Sequence, residues 1–191
     1  MAEGGNFDRD RLRAYYFARL ESHLGGAAPG CTMFAVPADL CADGSGGALV
    51  GRNYDWATSD LGWCELRRIL PEREPRRIGY THHWAGTADS LTERGLYVAI
   101  ASLPPEEVRS PGVQWHIVVN MLAATCETVE EAAEACARVR HLRPMSYLLA
   151  DSRGNVAIVE ATPEAGQLRR AKGKPIAAAN IKRGGTILKQ W

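Results

Sequence analysis

The chain has 191 residues, 46% of them hydrophobic and 24% charged, which suits one domain with a buried core. Its 23 basic and 22 acidic residues give a net charge of +1, and this balance argues against a nucleic-acid partner. No segment reaches the roughly 18 consecutive apolar residues of a membrane span, and the N-terminus carries no apolar signal core. The five cysteines lack zinc-site spacing, so we expect free thiols, no metal and a cytoplasmic location.

The N-terminal segment is predicted to be helical. Residues 8–24 place four apolar side chains at helical spacing, namely Leu12, Tyr15, Tyr16 and Leu20. The glycines and the proline of residues 25–30 then end the helix. The segment therefore has an apolar face that can pack against a domain.

The rest of the chain is predicted to have an α+β fold. A two-part helix is expected over Trp115–Ala137, with Thr128 and Glu131 forming a capping box at the start of its second part. Residues 57–90 are expected to be irregular, with a strand edge and a turn. Strands are expected at residues 31–37, 48–56, 95–103 and 175–180, and a hairpin at 146–163 that turns at residues 152–154.

The chemistry is concentrated in the first predicted hairpin, "GCTMFAVPADLCADGSGGALVGRNYDW", which starts at Gly30. Cys31 begins one strand, while Arg52 and Asp55 end the next. A free thiol has a pKa of about 8.5 and needs a base to become a good nucleophile. Cleavage of the Gly30–Cys31 bond would create an α-amine with a pKa of about 7.7–8.0, which suits a general base. Asp55 would hold this amine, and Arg52 would orient Asp55 or the substrate.

Several sequence blocks resemble those of a known family. "GCT", "GRNYDW", "ERGLYVAIASLP", "LLADSRGNVAIVEATP" and "AAAN" follow the order found in choloylglycine hydrolases and penicillin acyltransferases, which are N-terminal nucleophile (Ntn) cysteine hydrolases. The chain looks closest to the branch of acyl-coenzyme A:6-aminopenicillanic acid (isopenicillin N) acyltransferase. The resemblance covers about residues 30–180. It implies an αββα sandwich of two stacked antiparallel sheets, and cleavage or acyl transfer of linear amides through a cysteine thioester without a cofactor.

The resemblance also implies roles for individual residues. The nucleophile falls on Cys31, with self-cleavage between Gly30 and Cys31, and the oxyanion-hole asparagine falls on Asn180. Ser102 stands where relatives carry an asparagine that helps to form the oxyanion hole. The remaining candidates are the motif positions Arg52 and Asp55, and two residues given to substrate or core, Tyr54 and Trp56.

The resemblance divides the chain into residues 1–30, a helical propeptide or small subunit, and residues 31–191, a domain incomplete at its C-terminal end. Such a domain is expected to expose core surface and to pair with its cleaved N-terminal segment or with another copy. The expected substrate is a small-molecule amide or an acyl thioester. The alternative is a catalytically inactive, truncated member that acts as a binding or dimerising module. A papain-like Cys/His enzyme is disfavoured, because it would leave the Arg/Asp hairpin without a role.

Overall fold

The computed structural model describes residues 30–42, 44, 46–55, 62–81, 86–104, 111–163, 165–181 and 186–188. The predicted helix of residues 8–24, the candidate Trp56 and the histidines His82 and His83 lie outside the described residues. Predictions that concern them remain predictions.

The described part of the chain forms eleven strands and two α-helices. The helices are α1 (Trp115–Thr125) and α2 (Val129–Arg138). The strands are β1 (Cys31–Val36), β2 (Leu49–Tyr54), β3 (Glu65–Ile69), β4 (Arg77–Thr81), β5 (Asp89–Thr92), β6 (Tyr97–Ser102), β7 (Met145–Ala150), β8 (Val156–Ala161), β9 (Gly166–Arg170), β10 (Ile176–Ala178) and β11 (Thr186–Leu188). Neither described helix has the length and hydropathy needed to cross a bilayer.

The strands form two antiparallel sheets. The small sheet has three strands in the order β10-β1-β2, and the large sheet has eight in the order β11-β9-β8-β7-β6-β5-β4-β3. β1 is the central strand of the small sheet, with Cys31 opposite Tyr54 of β2 and Met33 opposite Ala178 of β10. The two sheets stack, and this confirms the predicted Ntn-hydrolase sandwich.

Alternating side chains of the large sheet build a core on each of its faces. Val98 and Ile100 of β6 pack toward helices α1 and α2, while Ala99 and Ala101 face the small sheet. Cys31 lies in the layer between the sheets. Because successive side chains of a strand point to opposite faces, one face of β6 and β7 points toward the small sheet, and β1 packs on it.

The second helix begins as the sequence predicts. The Thr128 hydroxyl accepts a hydrogen bond from the Glu131 backbone at 3.2 Å, and the Glu131 carboxylate accepts one from the Thr128 backbone at 3.2 Å. The capping box is therefore confirmed. The predicted hairpin turn is confirmed too, with Gly154 at a φ of 82°, a conformation that favours glycine.

The region 57–90 is more regular than expected, because it supplies β3, β4 and the start of β5. Arg67 and Arg68 put charges on both faces of β3, as is common on an edge strand, and this hid its strand pattern. β9 and β11 were not predicted either, because neither shows a long apolar alternation.

The two sheets differ in width, so part of the large sheet's inner face is exposed. Arg52 of β2 contacts Asp89 and Ile100, which places β2 above β5 and β6, with β3 and β4 beyond it. Two side chains there are unusually exposed for apolar residues, with Leu66 at 72% and Leu91 at 46%.

Candidate active site

Cys31 lies at the start of the central strand of the small sheet and is 2% exposed. Burial raises the pKa of its thiol above the ordinary value, while the charge of Arg52 and backbone hydrogen bonds of Ser102 and Asp55 lower it in part. A raised thiol pKa keeps the sulfur protonated at neutral pH. Nucleophilic attack by this sulfur therefore requires a base.

The peptide bond before Cys31 is held at both ends. The Gly30 carbonyl accepts a hydrogen bond from the Asp55 backbone N–H at 2.7 Å. The Cys31 backbone N–H donates to Asn180 Oδ1 at 2.6 Å. The first contact polarises the carbonyl, and the second places an acceptor on the nitrogen that would become the α-amine.

The Asp55 carboxylate lies beside Gly30. A β-carbon placed on Gly30 would lie 3.0 Å from Asp55 Oδ2, while the other oxygen, Oδ1, accepts a hydrogen bond from Asn53 Nδ2 at 2.6 Å. Asp55 is exposed and belongs to the same end of the hairpin as Cys31. The structure thus brings together Gly30, Cys31 and Asp55, as the sequence predicts.

Asn180 connects the last strand of the small sheet to the large sheet. Its Oδ1 accepts from Cys31, and its Nδ2 donates to the Ser102 carbonyl at 2.7 Å. The amide orientation is fixed chemically, because the opposite assignment would place a donor against the Cys31 N–H. Nδ2 carries a second hydrogen, so Asn180 has the chemistry required of an oxyanion donor.

Arg52 is held by polar groups of the large sheet and by an aromatic ring of its own strand. Its Nε and Nη2 donate to the Ile100 carbonyl at 3.3 and 3.2 Å, and its Nη1 lies 3.6 Å from Asp89 Oδ2. Its guanidinium carbon is 4.4 Å from the centre of the Tyr54 ring. The sequence suggested Asp55 or substrate as its partner, whereas the contacts described join Arg52 to the large sheet.

Ser102 and Tyr54 also lie beside Cys31. Ser102 is 9% exposed, and its main chain contacts both the Cys31 sulfur and Asn180. The Tyr54 ring packs edge-on against Tyr80, with ring centres 5.5 Å apart. Among the described residues Tyr54 therefore lines the inner layer next to Cys31.

Asp89 is the residue that sequence reasoning missed. Its carboxylate accepts hydrogen bonds from the Tyr80 backbone, at 2.7 Å, and from the Tyr97 side chain, in addition to its contact with Arg52. A signal was available, because an acid that begins a strand of otherwise uncharged residues requires a partner if it is buried. The identity of that partner depends on how the two sheets stack, and no local sequence pattern reveals this.

Two tyrosines complete this cluster. Burial and a hydrogen bond with Cys64, whose sulfur is 2.9 Å from the hydroxyl, raise the pKa of Tyr80 to about 12. Burial and the charge of Asp89 also raise the pKa of Tyr97. Both hydroxyls thus stay neutral at physiological pH. In the described part of the chain, no three acids, histidines or cysteines converge closely enough to hold a metal ion.

Comparison with known proteins shows a family match over most of the chain and a shared fold. Residues 42–182 match the sequence profile of the family described as acyl-coenzyme A:6-aminopenicillanic acid acyl-transferase. A mutant of the conjugated bile acid hydrolase from Clostridium perfringens superimposes with a TM-score of 0.58 at 16% identity, covering 80% of this chain and 54% of that chain. The Caenorhabditis elegans ortholog of N-acylethanolamine-hydrolyzing acid amidase gives 0.63 at 11% identity, covering 80% of this chain and 70% of that one.

At such identities the structural likeness establishes the fold alone. The chain spans about half the length of the bile acid hydrolase, as the 54% coverage states. No curated protein matches the sequence at a significant level.

Proposed function

The chain belongs to the acyl-coenzyme A:6-aminopenicillanic acid acyl-transferase family, and from this premise we propose that it is a self-processing cysteine amidohydrolase or acyltransferase. Its substrate is a small linear, non-peptide amide or an acyl thioester. The acyl group passes through a thioester on Cys31. The single observation that carries the proposal is the double anchoring of the Gly30–Cys31 peptide bond by Asp55 and Asn180.

The first step is processing of the chain itself. The Cys31 sulfur attacks the Gly30 carbonyl carbon, and the developing oxyanion is stabilised by the Asp55 backbone N–H that already donates to that oxygen. The Cys31 nitrogen accepts the thiol proton as the C–N bond breaks, so it serves as the base of this step, and a thioester joins Gly30 to the sulfur. Water hydrolyses the thioester, which releases segment 1–30 with a C-terminal carboxylate and leaves Cys31 with a free α-amine.

The second step is turnover. The α-amine removes the thiol proton, which it must do because burial raises the pKa of the thiol. The thiolate attacks the substrate carbonyl, and the second hydrogen of Asn180 Nδ2 stabilises the oxyanion. The amine product leaves with a proton, and water or an acceptor amine then takes the acyl group from the sulfur. Asp55 holds the new ammonium, and the position of its carboxylate beside Gly30 before cleavage supports this role.

The test is acyl transfer to the purified full chain. The probes are 4-nitroanilides of acids of graded chain length, with release of 4-nitroaniline followed by absorbance and the covalent acyl adduct followed by intact mass. We expect release and an adduct with the wild type and neither with Cys31→Ala. The matched control is Cys41→Ala, which removes a half-buried thiol outside the site and is expected to behave as wild type.

Turnover by Cys31→Ala at the wild-type rate would overturn the proposal. A wild-type chain that neither forms an adduct nor releases the aniline would favour the inactive binding module instead.

A further inference from the structure

Asp89 lies in the layer between the sheets, where a charged group needs compensation. Its side chain is 17% exposed, and that of Arg52 is 5% exposed. Every described partner of this carboxylate is a donor: Arg52, the Tyr80 backbone and the Tyr97 hydroxyl. The acid is therefore held in one orientation, with Oδ2 toward Arg52 and Oδ1 toward Tyr80.

Arg52 faces the nucleophile from the same side of its strand. It stands opposite Met33, which shares the inner face of β1 with Cys31. Its charge lowers the pKa of the Cys31 thiol, against the effect of burial. The other groups that face Cys31 are Tyr54 of β2, Ser102 of β6, Asn180 after β10, and Asp55 after β2, whose charge raises the pKa of the thiol. Arg52 is thus the cation that lowers the pKa of the Cys31 thiol.

The Ile100 carbonyl alone does not fix the position of a guanidinium. Two N–H groups converge on one oxygen at 3.2 and 3.3 Å, which leaves the plane free to pivot about that point. The contact of Nη1 with Asp89 Oδ2 removes this freedom. The Tyr54 ring, 4.4 Å away, supports one side of the plane.

We propose that Asp89 is the positioning residue of this active site: it holds Arg52 over the inner face of β2, where the guanidinium acts on Cys31. Asp89 does not touch the substrate, and its effect on the thiol is transmitted through Arg52. This inference rests on the proposed function, because it assigns Asp89 a task in preparing the nucleophile.

Asparagine is the informative replacement. Because Oδ1 accepts the Tyr80 N–H, an asparagine keeps its oxygen on that side and turns its NH₂ group toward Arg52. Asp89→Asn therefore preserves shape and the Tyr80 contact but places donor against donor at Arg52. The guanidinium is released, and its effect on the thiol is lost.

The experiment is a titration of Cys31 by the ultraviolet absorbance of its thiolate, with Cys31→Ala subtracted as the blank. It requires no substrate, and variants are compared in the same cleavage state, checked by intact mass, so its outcome is separate from that of the proposed function. Asp89→Asn is expected to raise the thiol midpoint by about half to one pH unit. Arg52→Gln is expected to raise it at least as far, and the double variant no further than Arg52→Gln alone.

The matched control is Asp151→Asn, which removes a buried acid at the opposite end of the sheet, after β7. It is expected to lower stability in thermal unfolding without moving the Cys31 midpoint. Neither Tyr80 nor Tyr97 interferes, because both have raised pKa values.

An unchanged midpoint in Asp89→Asn would overturn the proposal, since a purely structural acid lowers stability alone. A lowered midpoint would also overturn it, since it would mean that Asp89 only neutralises the charge of Arg52. If Asp89→Asn does not fold, Tyr97→Phe removes one partner of the carboxylate and is expected to raise the midpoint by a smaller amount. Additive shifts in the Arg52→Gln background would show that Asp89 acts by another route.

Discussion

Replacement of Asn180 by alanine is expected to impair both stability and catalysis, by amounts that can be separated. The side chain makes two short hydrogen bonds, at 2.6 Å to the Cys31 N–H and 2.7 Å to the Ser102 carbonyl. Each contributes about 0.5–1.5 kcal/mol, so the free energy of unfolding should fall by about 1–3 kcal/mol. Loss of one oxyanion donor costs about 3 kcal/mol in the transition state, which corresponds to a rate loss of at least about 100-fold.

The assay measures single-turnover release of 4-nitroaniline, with urea unfolding in parallel. Asn180→Asp refines the test, because it keeps an acceptor for Cys31 but sets an oxygen against the Ser102 carbonyl and donates nothing to an oxyanion. It should therefore be as inactive as Asn180→Ala. Ile181→Ala, an exposed neighbour in the same segment, is the control and should be active. A rate within about threefold of wild type in Asn180→Ala, together with the stability loss, would refute the oxyanion role.

Three further outcomes are expected. Gly30→Ala should slow self-cleavage, measured as the uncut fraction by intact mass over time, because its β-carbon would lie 3.0 Å from Asp55 Oδ2. Thr128→Ala should lower the free energy of unfolding in urea by about 1 kcal/mol, while Thr125→Ala, which removes an exposed hydroxyl, should change it little. Because burial raises the pKa of Cys136, the unfolded thiol ionises first, so the melting temperature should fall as pH rises above about 8.

Each of these three predictions has a result that would contradict it, and the first also has a control variant. Gly62→Ala adds a β-carbon with nothing within 4 Å, and it should process at the wild-type rate. If Gly30→Ala cleaves itself at the wild-type rate, the Asp55 carboxylate can move away from the added β-carbon at no cost. If Thr128→Ala and Thr125→Ala lower the free energy of unfolding equally, the capping box does not contribute as expected. A melting temperature that does not change up to pH 10 would argue against buried protonated thiols.

The local part of the site could be predicted because it is encoded in one hairpin. Cys31 and Tyr54 are cross-strand neighbours, and the two-residue period of a strand then fixes where Arg52 and Asp55 stand. The Thr128 capping box is encoded within four residues for the same reason. Short-range geometry leaves few alternatives once the strand or helix is recognised.

The contacts between residues far apart in the sequence depend on how the two sheets stack, so local patterns could not predict them. The contact of Asn180 with Cys31 spans 149 positions, and the family resemblance suggested only an oxyanion-hole role for Asn180. The contact of Arg52 with Asp89 crosses from one sheet to the other, so no periodicity reveals it. The strands of residues 65–81 were predicted only as a strand edge and a turn, because charged side chains on both faces of β3 hide its strand pattern.

The central claim is that Cys31 becomes an N-terminal nucleophile, and intact-mass measurement with N-terminal sequencing of the purified full chain tests it most directly. We expect a polypeptide that begins at Cys31 in the wild type and an uncut Gly30–Cys31 bond in Cys31→Ala. A wild-type protein in which that bond remains intact would contradict it, because the α-amine that the mechanism requires as its base would not exist.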